Sequence, residues 1–269
     1  MNDIIFEIKD MRYLNWTKTR KSSGTAGSFL KAYDDTGKKK KYYKLSDYDS
    51  VKGIIGHECV NEIVVQRLLD FFGIEHLRYT LVHALVTIDG RNHETYLCES
   101  EDYKGKSESK ISLEDFYALY KENEETPIEF CKRMGWEQYV YEMFLIDHLV
   151  LNRDRHGANI EVLRDAKTKS TRLAPLFDHG LSLVCRCHST AELDAFDVME
   201  DRKVQSFVGT SSTFENVKAI PKAYFDELPR LTEADLDKVF EGLETVIGRE
   251  FIDKMRTMIW ERWCSLDSI

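Results

Sequence analysis

Hydrophobic and polar positions change rhythm along this 269-residue chain near residue 100. Before that point, short stretches alternate with a period of two, which predicts strands, around one stretch with helical spacing. Segment 29–45 reads as two strands joined by Asp34-Asp35-Thr36-Gly37, a turn composition, and the lysine run 38–41 falls at a solvated hairpin tip. Over 57–72, Val60, Val64, Leu68 and Phe71 share one helical stripe, Glu58, Glu62, Val65 and Leu69 another, and Gly73 is placed to stop the helix. Segments 79–88 and 95–98 then read as strands around the polar turn Asp89-Gly90-Arg91-Asn92.

Beyond Ser100 the spacing is mainly helical. Ser112 caps the segment starting Leu113-Glu114-Asp115-Phe116, and Thr126-Pro127 opens a second helix. Segment 136–151 predicts a long core-facing helix ending at Asn152, and a polar loop leads to two apolar segments, 160–163 and 173–177, that suggest a hairpin. Thr232 with Asp235 forms a capping box ahead of helical spacing that runs to Trp263. The expectation is an α+β protein, with a β-rich unit over 1–98 and a helix-rich unit over 99–269 that carries one hairpin.

Composition narrows the function. Hydrophobic content of 42% and charge of 32% suit a globular chain with a substantial core. The opening MNDIIFEIKD carries acids where a secretory leader would be basic. The most apolar window, 139–151, is broken by Glu142 and Asp147 and falls short of the roughly 20 residues a membrane span needs. A cytoplasmic protein without membrane contact is expected. The net charge of -9 argues against nucleic acid as a partner. Six scattered cysteines read as reduced thiols, and Cys185-Arg186-Cys187-His188 lacks the second ligand pair of a zinc site.

The informative segment is Asn152-Arg153-Asp154-Arg155-His156-Gly157-Ala158-Asn159, followed after the hairpin by Leu173-Ala174-Pro175-Leu176-Phe177-Asp178-His179-Gly180. A buried helix hands off to a loop with a carboxylate and, five residues later, an amide, and the chain then returns to a second carboxylate. Phosphoryl transfer from ATP uses such a set: a carboxylate that orients the attacking hydroxyl, and hard oxygens that hold magnesium against the phosphates. Asp154 suits the first task, and Asn159 and Asp178 suit the metal.

Asp154-Arg155-His156-x-x-Asn159 resembles the catalytic loop of phosphatidylinositol kinases, and Leu173 through Asp178 resembles the metal-binding segment of bacterial HipA-like serine/threonine kinases. The resemblance implies a two-lobed protein-kinase-like fold with ATP between the lobes and Mg2+ as cofactor. It also implies a protein serine or threonine as acceptor. By the same resemblance Lys44, in Lys41-Tyr42-Tyr43-Lys44-Leu45, holds the ATP phosphates and Glu62 orients it, with Glu58 in reserve. Ser22-Ser23-Gly24-Thr25-Ala26-Gly27-Ser28 stands where a phosphate-covering loop belongs, so Ser23, Gly24, Thr25, Ala26 and Gly27 are expected at the nucleotide, and Ser22, Ser23, Thr25 or Ser28 as autophosphorylation sites. The hinge to adenine falls around 98–100, which includes Glu99. The chain has too few residues ahead of that loop for the additional N-terminal subdomain of HipA, which argues against an antitoxin partner.

Three other readings compete. Asp147, His148, Asp154, His156, Asp178 and His179 could ligate a transition metal in a phosphohydrolase, although His148, on a buried helix, reads better as a bracing residue. A kinase fold without activity could serve as a binding module, and the acceptor could be a lipid or small molecule.

Overall fold

The alternating N-terminal segments assemble into one twisted sheet. In the computed structural model, residues 3–17 and 29–268 are described, and the strands are β1 (Ile4–Asp10), β2 (Lys31–Asp34), β3 (Lys41–Leu45), a small β4 (Tyr48–Asp49) and β5 (Gly53–Ile54) pair, and, after helix α1 (Glu58–Phe72), β6 (Tyr79–Ile88) and β7 (Arg91–Glu101). The five-stranded order is β1-β6-β7-β3-β2, with β1 parallel to β6 and the rest antiparallel. The β6–β7 hairpin is longer than its apolar pattern predicts. Asp89 and Gly90 both take positive φ, 50° and 75°, and form the tight two-residue turn that matches strand twist. Pairing therefore begins at Ile88–Arg91 and runs to Tyr79–Ser100.

The period of two decides which face each side chain takes. Tyr43, Leu45, Val82, Ala84, Val86 and Leu97 pack on one face under Met11 and Leu14. Leu81 and Cys98 lie on the other and join α1 in the main core. Gly73 ends α1 in the left-handed region at φ 70°. Arg67, buried in α1, donates to both carboxylate oxygens of Asp3 at 2.8 Å and to the carbonyls of Val239 and Glu241. The N-terminal strand is thereby tied to the C-terminal helices.

The second half builds around a helix whose C-terminal half is buried on all sides. Strand β8 (Glu108–Ser112) and helices α2 (Leu113–Tyr120) and α3 (Pro127–Arg133) precede α4 (Glu137–Leu149), whose residues 143–149 are all buried. The Ser112 cap forms as expected, and Thr126 opens α3 as expected, with a capping box to Glu129. After α4 come the short strand β9 (Asp154–Arg155) and the hairpin β10 (Glu161–Asp165) and β11 (Thr171–Leu173), which β8 extends to three strands. Helix α5 (Thr190–Ala195), strand β12 (Gln205–Ser206), and helices α6 (Thr213–Val217), α7 (Lys222–Glu227), α8 (Glu233–Phe240) and α9 (Arg249–Ser265) complete the chain. The helical spacing from Thr232 to Trp263 is divided between α8 and α9, and Gly242 turns the chain between them at φ 78°. The capping box at Thr232 is present. No helix among the described residues is long and apolar enough to cross a membrane, and all six cysteines are free thiols.

Several histidines are folded in as neutral rings. His148 is fully buried, and burial followed by the charge of Arg262 holds its pKa down at about 3. Burial holds His57 at about 4 and His179 well below the ordinary value. Because the unfolded chain takes up these protons near pH 6.5 and the folded chain does not, stability is intact at pH 7 and declines as pH falls toward 4. Thermal melts from pH 7 to 4 should show this decline, and His148→Gln should flatten it; an unchanged slope in that variant would contradict the assignment.

Candidate active site

The helix α1 and strand β3 place two opposite charges on one inner face. Lys44 alternates away from Tyr43 and Leu45, toward α1, and its Nζ lies 2.6 Å from Glu62 Oε1 and 2.5 Å from Asp178 Oδ1. Glu62 is buried, and its other oxygen accepts from the His179 backbone N–H at 2.9 Å. Burial pulls the Lys44 ammonium down, but the charges of Asp178 and Glu62 outweigh it and raise its pKa well above the ordinary value. Glu58, one turn earlier, serves elsewhere: its carboxylate accepts from the Asp47 N–H at 2.9 Å.

The loop 152–159 is organised by a residue that the sequence pattern presents only as a motif letter. Arg155, 1% exposed, forks onto both oxygens of Asp147 at 2.8 and 3.0 Å and donates to the Phe177 carbonyl at 2.9 Å. Asp147 also accepts from the Asn152 amide, whose oxygen in turn accepts from the Asp154 N–H at 3.1 Å. The Asn159 amide donates to the Asp154 carbonyl at 2.8 Å, which leaves its Oδ1 buried and without a partner. His156 Nδ1 accepts from the Ala158 N–H, so the proton sits on Nε2, 3.7 Å from Asp154 Oδ1.

Asp178 has φ 61°, a conformation that few non-glycine residues adopt, and its N–H donates to the buried Tyr79 hydroxyl at 3.4 Å. Two residues on, Asn61 of α1 holds the carbonyls of Gly180 and Ser182 at 2.9 and 3.0 Å. A Cβ on Gly180 would sit 3.2 Å from that of Glu58, so helix and segment are in close contact. An orphaned buried carbonyl-type oxygen next to a loop carrying carboxylates fits a hard cation such as Mg2+. Asn159 Oδ1 and the Asp178 carboxylate are the groups that would hold it.

The structure thus brings together Lys44, Glu62 and Asp178, and ties Asp154 and Asn159 to them through Arg155. Glu99 is not brought to the cluster. It pairs with Tyr43 across the sheet, so its carboxylate faces the opposite side, 2.6 Å from Lys41 Nζ and 2.9 Å from the Tyr43 hydroxyl. Its backbone lies inside the β6–β7–β3 ladder, and the strand end at Glu101 leads to the connection between the halves. Ser23, Gly24, Thr25, Ala26 and Gly27 lie outside the described residues, as do Ser22 and Ser28. The transition-metal set does not converge: Asp147 is taken by Arg155, and His148 packs against Phe214 and near Ser265. Among the described residues, no group of three or more His, Cys, Asp or Glu could hold a metal.

Sequence reasoning passed over Asn61 as a clamp, Asp147 as the arginine's partner, and Tyr79. The signal for Asp147 was present, since an acid in an otherwise apolar helix needs a buried cation.

The arrangement matches a known kinase fold. The crystal structure of the Helicobacter pylori proinflammatory kinase CtkA superposes with a TM-score of 0.58 at 15% identity, over 94% of this chain and 93% of that one. HipA of Shewanella oneidensis MR-1, solved with HipB and operator DNA, aligns at 15% identity and a TM-score of 0.41 over 92% of this chain and 57% of its own. No family model matches the sequence, and no curated protein sequence does. The fold is therefore kinase-like, with a β-rich and a helix-rich part.

Gly157 tests how tightly the loop is held. A Cβ there would run into the Glu114 Cβ and close to 3.2 Å on that residue's backbone at the start of α2. Gly157→Ala should cost about 1–3 kcal/mol in denaturant unfolding, and an unchanged midpoint would show that the loop can yield.

Proposed function

We propose that this chain is an ATP- and magnesium-dependent kinase of the HipA-like kind, acting in the cytoplasm on a serine or threonine hydroxyl of a protein. The observation that carries the reading is the buried Lys44–Glu62–Asp178 cluster, facing a loop with Asp154 and the unpartnered Asn159 oxygen. Asp154 orients the acceptor hydroxyl and takes its proton. Lys44, held by Glu62, positions the nucleotide phosphates, while Asn159 and Asp178 hold the metal. Magnesium held there would supply positive charge to offset that which develops on transfer. Residues 23–27 would cover the phosphates, and the side chains of Ser22, Ser23, Thr25 and Ser28 are the expected self-modification sites.

The Lys44 ammonium now rests on the two carboxylates, which keeps it charged. A phosphate group entering beside it offers a third anionic partner, so nucleotide binding need only redirect a cation already in position.

Transfer of labelled γ-phosphate from ATP, followed by mass spectrometry on the protein and on generic protein acceptors, tests the reading. Asp154→Asn should lower transfer by about 10²–10⁴-fold, the range for losing a positioned base. Asp178→Asn should abolish the magnesium dependence together with transfer. Nucleotide binding without transfer to protein, lipid or small-molecule acceptors would favour a binding module, and absence of nucleotide binding would overturn the proposal.

A further inference from the structure

The thiols of Cys59 and Cys98 share one place in the core. Cys59 lies in the first turn of α1 and Cys98 near the end of β7, where Lys44 of β3 is its cross-strand partner. Each cysteine is 1% exposed. The Cys98 sulfur is 3.2 Å from the Cys59 carbonyl oxygen, and the Cys59 sulfur is 3.2 Å from that of Lys44. Cross-strand partners stand about 5 Å apart at Cα, so both sulfurs are confined between α1 and the same pair of strands. They also meet each other, since a hydrogen bond from the Cys98 side chain bears directly on Cys59.

The two thiols differ in the way a disulfide-forming pair requires. Hydrogen bonding from Cys98 lowers the Cys59 pKa against the effect of burial, with help from the Ser46 hydroxyl and the charge of Lys44. Burial holds the Cys98 thiol well above its ordinary value. The thiolate is the nucleophile, so Cys59 reacts first. Cys59 also has the route to solvent. A cavity of about 340 Å³ opens between the first turn of α1, the Glu94 to Tyr96 stretch of β7, and Val246, Ile247 and Phe251, and Cys59 lines it while Cys98 does not. Cys187 borders the same cavity, with its sulfur 3.8 Å from the Glu192 carbonyl.

We propose that Cys59 and Cys98 form a reversible internal disulfide when the protein meets hydrogen peroxide. The Cys59 thiolate attacks one peroxide oxygen, the O–O bond breaks, and Cys59 becomes a sulfenic acid while the departing hydroxide takes up the proton that Cys59 released and leaves as water. The Cys98 sulfur then attacks the Cys59 sulfur. The S–S bond forms, the S–O bond breaks, and hydroxide departs with the Cys98 proton as a second water. The two thiols give up two electrons, and peroxide takes them. The bond would tether α1 to β7 one turn ahead of Glu62, opposite the strand position of Lys44, and so hold helix and sheet in the register in which those two side chains meet. The site uses no group assigned to phosphoryl transfer and does not depend on that reaction.

The test uses the full chain, reduced, freed of reductant and exposed to hydrogen peroxide at pH 7 without denaturant. Remaining thiols are alkylated, and peptides are mapped by mass spectrometry without reduction. The expected result is a cross-linked Cys59–Cys98 peptide that dithiothreitol abolishes. In Cys98→Ala, dimedone should label Cys59 as a trapped sulfenic acid, and in Cys59→Ala, Cys98 should stay a thiol at the same dose. The exposed Cys264→Ser serves as control and should leave the cross-link unchanged. The wild-type melting midpoint should rise on oxidation and return on reduction, because a bond that suits the fold constrains the unfolded chain. The wild-type map decides the pairing by itself, whether or not either core variant folds. A cross-link from Cys59 to Cys185 or Cys187, oxidation of Cys59 to sulfinic acid with no cross-link, cross-linking that needs denaturant, or a lowered midpoint would each overturn the site.

Discussion

Arg155 is where the helix-rich part, the loop 152–159 and the segment 173–180 meet. Its guanidinium is almost wholly removed from water, so each donor it carries must find an acceptor. Asp147 at the end of α4 supplies two, and the Phe177 carbonyl supplies another. Breaking such a pair from one side leaves a buried charge uncompensated, a loss of about 3–5 kcal/mol. Asp154 is the residue before this anchor, Asn159 is four residues after it, and Asp178 follows the carbonyl it holds. The three groups read as chemistry are thus placed by one that is structural.

The second constraint comes from α1. Asn61 and Glu62, adjacent in sequence, both reach the segment 178–182, one through carbonyls and the other through the His179 N–H. Glu62 simultaneously holds Lys44 from the sheet. Sheet, helix and loop therefore register against one another through a few polar contacts inside an apolar core, where low dielectric strengthens each satisfied bond. Arg67, on the same helix, carries this registration to β1 and to the end of α8.

Much of this was legible because it is local. The loop 152–159 and the segment 173–180 carry their chemistry in consecutive residues, and the helix over 57–72 shows its period and its glycine stop. What escaped reading depends on distant partners. Strand β8 is mostly polar and becomes a strand only because β10 pairs with it. The place of strand β1 beside β6 rests on a parallel pairing more than seventy residues away in sequence. The face of Glu99 follows from its register against Tyr43, which alternation within one strand cannot supply. The choice of Glu62 over Glu58 is likewise a matter of tertiary depth, since both sit on the same stripe of α1 and only one reaches Lys44.

Diffraction from crystals grown with Mn2+ and a non-hydrolysable ATP analogue tests the central claim most directly. The account predicts an anomalous peak within coordination distance of Asn159 Oδ1 and the Asp178 carboxylate, with Lys44 turned from Asp178 toward a phosphate oxygen. A nucleotide bound away from Lys44, or a metal held without Asn159 and Asp178, would contradict it.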